Sequence, residues 1–337
     1  MKRHIPFLLL SLFLLYSCSS NESRQLDKTF PQTIKLEADK IKINEVIKPV
    51  LILVLDDYLV VQNEYIFGEH CFFVYSLESF EFLYSFGRLG QGPKEYIAPR
   101  LIQNSKDNIL SIFDQNSRAI NNFQLTDIEP IFIKENIIED NRNEPFQELS
   151  YINDSIILLL KYDYEICLYS INESRFLDTF SFKENLTETT YSHTLDSYHF
   201  SNNNGQIVFG SSFVNDLSVG KIENNKFVID NKKPSIEFNK NPYKNHLYYL
   251  YVKATSNHIF AQYYGYLFMQ MQPLPINLGK RSFDFLIEVY DWNLNPLVLL
   301  ELDSNILRYA VDENRKTIYT WNPLADFDYL LLYKYDF

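Results

Sequence analysis

Apolar and polar positions along this chain alternate in short bursts. A run rich in Leu, Ile, Val, Phe and Tyr meets a polar turn, and a second such run follows. The piece occurs as LILVLDDYLVV at Leu51, RLIQNSKDNILSIF at Arg100 and LSYINDSIILLL at Leu149. It returns as YHFSNNNGQIVFG at Tyr198, YLYVKATSNHIFAQ at Tyr249 and LRYAVDENRKTIYTW at Leu307. Short apolar bursts rich in β-branched and aromatic residues, bounded by polar turns, predict strands. Asp, Asn and Ser fill the turns because their side chains hydrogen-bond locally and tolerate tight backbone geometry. The second strand of each pair starts near Leu59, Ile109, Ile156, Ile207, Ile259 and Ile318, a spacing of 47 to 59 residues. A period of that size marks a repeat array.

A third strand follows each pair: CFFVYSL, RAINNFQL, EICLYSI, NDLSVGKI, FLIEVYDW and LLLYKYDF. In five cases a turn and a fourth strand come next, as in ESFEFLYSF after Leu77 and LNPLVLLEL after Asn293. Four antiparallel strands make a propeller blade. The expected fold is therefore all-β, a six-bladed β-propeller of four-stranded blades. The sixth unit stops at Phe337 after its third strand, while TIKLEADKIKI (Thr33 to Ile43) precedes the first unit without a partner. That run is expected to complete the last blade and close the ring, which removes two exposed sheet edges.

Composition adds material and compartment. Of 337 residues, 46% are hydrophobic and 16% aromatic, ample for a β-rich core. A net charge of −12 argues against the basic face that a nucleic-acid partner needs. Lys2 and Arg3 precede an apolar stretch, Phe7 to Leu15, too short to span a bilayer, which ends in Leu15-Tyr16-Ser17-Cys18. This resembles the lipobox of bacterial lipoproteins, with Tyr16 in place of the usual small residue. The implied organisation is a signal peptide over 1–17, a flexible tether over 18–30 and the propeller over 31–337. Cys18 would carry the lipid, and the protein would hang from a membrane of the bacterial cell envelope, on the periplasmic side of the outer membrane. Acyl chains anchor through about 0.8 kcal/mol per buried CH₂. Cys71 and Cys167 fall in the third strands of units one and three. Non-adjacent blades hold such strands beyond the ~7 Å Cα separation a disulfide allows, so both are expected as free, buried thiols.

Gly87, Gly90 and Gly92 are three of only nine glycines, and they gather in one connector, Gly87-x-x-Gly90-Gln91-Gly92-Pro93-x-Glu95-Tyr96-x-x-Pro99. Glycine concentrates where the backbone needs positive φ or close approach. Together with the Asp114 turn in DQNSRAINNF, this connector resembles an NHL repeat. Lys94 replaces the second glycine of that pattern, and the turn with Asn116 is one residue short. The wider chain resembles TolB-like six-bladed propeller lipoproteins. The resemblance implies a propeller that binds a partner or ligand. Fold does not fix function.

In a propeller, the 4→1 connectors and the 2→3 loops emerge on one face. Arg88, Lys94 and Arg100 of the Gly-rich connector belong there. So do His193, in the linker after unit three, and an insertion in unit five that carries Tyr263, Tyr264, Tyr266, Lys280 and Arg281. These residues are the candidate ligand site: aromatic platforms with a basic rim, suited to a carboxylated sugar, a peptide terminus or another anion. No metal-ligand spacing, nucleophile elbow or P-loop occurs, so no cofactor is expected. The favoured function is a non-catalytic, membrane-anchored module binding a small molecule, glycan or protein. The alternative is a propeller enzyme, either a sugar-directed hydrolase or lyase or a lactonase-like metalloenzyme, which would place two acids or an acid–His cluster at the axial mouth.

Overall fold

The computed structural model describes residues 30–337 apart from 65, 67, 93, 105, 107, 141–144, 162–164, 182–197, 204, 212–216, 233–248, 264–284, 307 and 323–326. The described chain opens with β1 (Gln32–Leu36) and β2 (Asp39–Lys42). Four-stranded blades follow. Blade 1 is β3 (Pro49–Leu55), β4 (Tyr58–Asn63), β5 (His70–Ser76) and β6 (Phe82–Arg88). Blade 2 is β7 (Pro99–Ile102), β8 (Ile109–Asp114), β9 (Ala119–Gln124) and β10 (Ile131–Ile137). Blade 3 is β11 (Phe146–Asn153), β12 (Ile156–Lys161), β13 (Glu165–Ser170) and β14 (Arg175–Ser181). Blade 4 is β15 (Tyr198–Asn203), β16 (Gln206–Ser211), β17 (Leu217–Glu223) and β18 (Lys226–Lys232). Blade 5 comprises β19 (Tyr249–Ala254), β20 (Ile259–Tyr263), β21 (Phe285–Tyr290) and β22 (Pro296–Leu302). Blade 6 has β23 (Tyr309–Asp312), β24 (Thr317–Thr320) and β25 (Tyr329–Lys334) from the C-terminal end of the chain.

The N-terminal run closes the ring, and it does so in two pieces. β2 lies antiparallel to β25, with Ile41 opposite Leu330, and supplies the fourth strand of blade 6. β1 instead lies parallel to β22, with Ile34 opposite Leu300, as a fifth strand outside blade 5. A corner at Glu37 and Ala38 separates the two, and Asp303 holds it: its backbone N donates to the Leu36 carbonyl at 3.2 Å, and its carboxylate accepts from Ala38 N at 3.3 Å. One apolar-alternating run thus covers the outer edges of two adjacent blades.

The middle strands read as continuous apolar runs because both of their faces are covered by neighbouring blades. In β12, for instance, every residue from Ile157 to Lys161 is buried. Six apolar clusters fill the seams between blades. Phe72, Val74, Leu101 and Ile112 pack the seam of blades 1 and 2, and Tyr75, Val61, Tyr319 and Trp321 pack the closing seam of blades 6 and 1. Cys71 and Cys167 are buried thiols on separate blades. Burial pushes the Cys71 thiol up to about 12, so it behaves as a small apolar side chain.

Candidate functional site

Three places collect polar chemistry: the Gly-rich connector, the axis, and the turns of the opposite face. In the connector, Gly87 adopts φ +72°, and a Cβ there would come within 2.5 Å of the Phe72 ring. Glu95 folds back so that its carboxylate accepts from Gly92 N at 2.7 Å. Asp114 completes the knot from the next blade. It accepts from Ala98 N and Asn116 N at 3.1 Å each and from Ile97 N at 3.3 Å. Its turn residue and its connector are thus tied by one carboxylate, a structural role. Arg88 donates through Nε to the Gly68 carbonyl at 2.9 Å and stands 3.9 Å from Glu95, bracing the same loop. Lys94, at φ +65°, lines a cavity on this seam.

Arg100 sits deeper, on innermost strand β7, where it faces Phe113, the penultimate residue of β8. The same register position in blades 1, 3, 4 and 5 is held by Leu51, Glu148, His199 and Tyr251, opposite Gln62, Leu160, Gly210 and Gln262. In blade 6 it is Arg308, one residue before the Tyr309–Thr320 pair. These six positions form a ring near the end of the axis that the 4→1 connectors feed. The intervening residues, such as Ile52, Leu101, Leu149 and Val252, are buried in the seams.

The ring is knit together across the channel. Arg308 of blade 6 reaches to within 4.0 Å of Glu148 on blade 3, the blade diametrically opposite. On the way its guanidinium lies 4.7 Å from the centre of the Tyr251 ring. The other Glu148 oxygen accepts from Phe200 N at 2.9 Å. Arg100 donates to the Gln147 carbonyl of blade 3. One layer further in, Lys253 of blade 5 donates to Gln103 of blade 2 at 3.1 Å, again straight across the axis. Burial lowers the Lys253 ammonium to about 8, partly offset by the Glu148 charge. Burial raises the Tyr251 phenol to about 12. Arg308 and Lys253 thus both interact with the Glu148 carboxylate, with Arg100 on the carbonyl of the residue before it, in a region where low dielectric strengthens each interaction.

On the opposite face, Gln103, Asn153, Asn202, Asn203 and Asn225 line an open cavity of about 900 Å³. Asn153 serves the 1→2 turn of its blade, its Oδ1 accepting from Ser155 N at 2.9 Å and from Ile156 N at 3.0 Å, while Gln103 reaches between blades to donate to the Asn202 carbonyl at 3.0 Å. Among the described residues, no three His, Cys, Asp or Glu side chains gather as metal ligands.

Of the residues expected from sequence, Arg88 and Lys94 lie in the connector and Arg100 lies in the axial ring. Tyr263 ends β20, where the insertion begins. Cys18, His193, Tyr264, Tyr266, Lys280 and Arg281 lie outside the described residues. Glu148, Tyr251, Lys253 and Arg308 were not anticipated. Aligning the six units on their first strands would have exposed them, because all but Lys253 occupy one column.

Comparison with known proteins agrees with this architecture. A family described as TolB-like 6-blade propeller-like matches residues 29–314. No curated protein matches the chain. Among solved structures, a member of the DUF4221 family from Bacteroides vulgatus is similar over 89% of this chain and 98% of its own, at 12% identity and a TM-score of 0.55. The WD40 repeats of RRP9 are similar over 88% of this chain and 97% of theirs, at 7% identity and a TM-score of 0.50. Identities this low speak to fold alone. With blades, closure and family match in agreement, the chain belongs to the TolB-like six-bladed propeller family.

Proposed function

We propose that this protein is a lipid-anchored propeller of the bacterial cell envelope that binds a small anionic ligand at its axial mouth and performs no chemistry on it. Cys18 carries the lipid, and residues 18–30 tether the ring to the membrane. The observation that carries the reading is the axial ring. Arg100 and Arg308 bring guanidiniums suited to bidentate pairing with carboxylate, Tyr251 adds an aromatic wall, and Lys253 adds charge beneath them. Glu148 serves as the internal counter-ion that an incoming anion displaces. His193, Tyr264, Tyr266, Lys280 and Arg281, outside the described residues, remain candidates for ligand contact in this reading. A carboxylated sugar or a peptide C-terminus fits the chemistry.

The test is a titration with digalacturonate against its neutral counterpart, digalactose. Arg100→Ala with Arg308→Ala should weaken digalacturonate at least tenfold while the fold persists. Binding should also fade as pH rises through about 8, where Lys253 loses its charge. Equal affinity for both sugars, or an unaffected double variant, would overturn the reading.

A further inference from the structure

The axial site leaves one built cavity unused. It lies on the seam of blades 1 and 2, beneath the Gly-rich connector, and has a volume of about 670 Å³. That is within the roughly 300–1,000 Å³ range of small-molecule sites. Its wall is aromatic. Phe86, Phe123 and Phe132 stack edge-on in a row, with centroids 5.8 and 5.7 Å apart, and Tyr96 lines the same cavity. Phe132 is 55% exposed, so the row ends in solvent. Phe132 packs one edge on Phe123 across the strand pair and, on the outermost strand of blade 2, leaves the rest of its ring open to a ligand.

The charges at this cavity are of the opposite sign to those at the axis. Glu95, Asp114 and Glu135 line it, against Lys94 alone. Asp114 and Glu95 are occupied by the connector backbone. Glu135, on β10, is exposed and takes no part in that knot. Two of these carboxylates act on the aromatic wall: burial first, then Asp114, Cys71 and Glu135, push the Tyr96 phenol upwards. Glycine shapes the floor, since the Glu95 carboxylate occupies the space a side chain at Gly92 would need.

From this geometry we propose a second binding site at the blade 1–blade 2 seam, for an organic cation with an aromatic or apolar body. The ring of such a ligand lies against Phe123 and Phe132. Its ammonium faces Glu135, with cation–π attraction from the same rings. The site is independent of the axial reading: it takes the opposite charge, and no axial residue lines it.

The experiment is a calorimetric titration with three probes of matched shape: tryptamine, the neutral 3-methylindole and the anion indole-3-propionate. Tryptamine should bind saturably, more tightly than 3-methylindole and at least about fivefold more tightly than indole-3-propionate. Glu135→Gln should cut the tryptamine affinity by about threefold and leave 3-methylindole unchanged. Phe132→Ala should weaken both. The two side chains are exposed, so these variants keep the fold, and an unchanged melting temperature verifies it. Arg100→Ala with Arg308→Ala should leave tryptamine binding intact, which separates a failure here from a failure at the axis. No saturable tryptamine binding, or a cation preference that survives Glu135→Gln, would overturn the proposal.

Discussion

Two seams of this ring do one job by different means. At the closing seam of blades 6 and 1, the connector is Ile43 to Lys48, which contains no glycine. Ile43 and Val46 are buried there, against Trp321, Tyr319 and Tyr75. Glu45 accepts from the Tyr75 hydroxyl at 3.2 Å, and Lys48 N donates to Asn63 at 2.7 Å. At the opposite end of the seam Arg315 spans the blades, pairing with Asp312 at 2.9 Å and with Asp57 at 3.3 Å. At the seam of blades 1 and 2, the connector is rich in glycine and folded around two carboxylates, Glu95 and Asp114. The first connector fills its seam with apolar side chains. The second satisfies its own backbone and leaves a cavity. An apolar plug suits a joint that must hold two distant ends of the chain together. A carboxylate-tied loop suits a joint that must keep space for something else.

The largest expected effect comes from breaking the closing seam. Deleting 33–43 removes β2, the outer strand of blade 6, and most of β1 with it. The whole ring should lose its cooperative transition, read by circular dichroism on heating. A variant that melts like the wild type would show that closure lies elsewhere. Next is Trp321→Ala, which empties a large, fully buried site in the same seam. About 3–5 kcal/mol of stability should be lost in urea unfolding. On the other seam, Gly87→Ala forces a Cβ onto Phe72 at positive φ, and about 2 kcal/mol should go. Smallest is Glu95→Gln, which weakens the bond to Gly92 N and the pairing with Arg88. About 1 kcal/mol is expected, because the loop is partly exposed. If Glu95→Gln cost as much as Trp321→Ala, the distinction between the seams would collapse.

Most of the ring was legible in the sequence, for a physical reason. Strands such as Leu59–Val61 and Ile157–Leu160 must be apolar on both faces, because blades cover both. That requirement repeats six times. Connector glycines were legible too, since Gly87 needs a backbone region that other residues avoid. The division of the N-terminal run was not. Alternation at Ile34 and Leu36 looks the same whether the strand joins the last blade or lies beside its neighbour. The decision is made by Asp303 at the Glu37–Ala38 corner, far away in the chain. The axial ring was half legible. Arg100 was singled out as a connector cation, but Glu148, Tyr251 and Lys253 sit in strands, and Arg308 just before one, with no motif around them. Their significance comes from reaching across the axis, as Arg308 does to Glu148. Contacts of that kind join residues 160 positions apart, and no local pattern announces them.

Axial anion binding is tested most directly by following the arginine side chains themselves. The Nε–Hε resonances of Arg100 and Arg308, assigned by single substitution, would be monitored by NMR while digalacturonate is added. Both should shift saturably with one affinity, with Arg88 unmoved. Binding that leaves Arg100 and Arg308 in place while other resonances move would contradict an axial site.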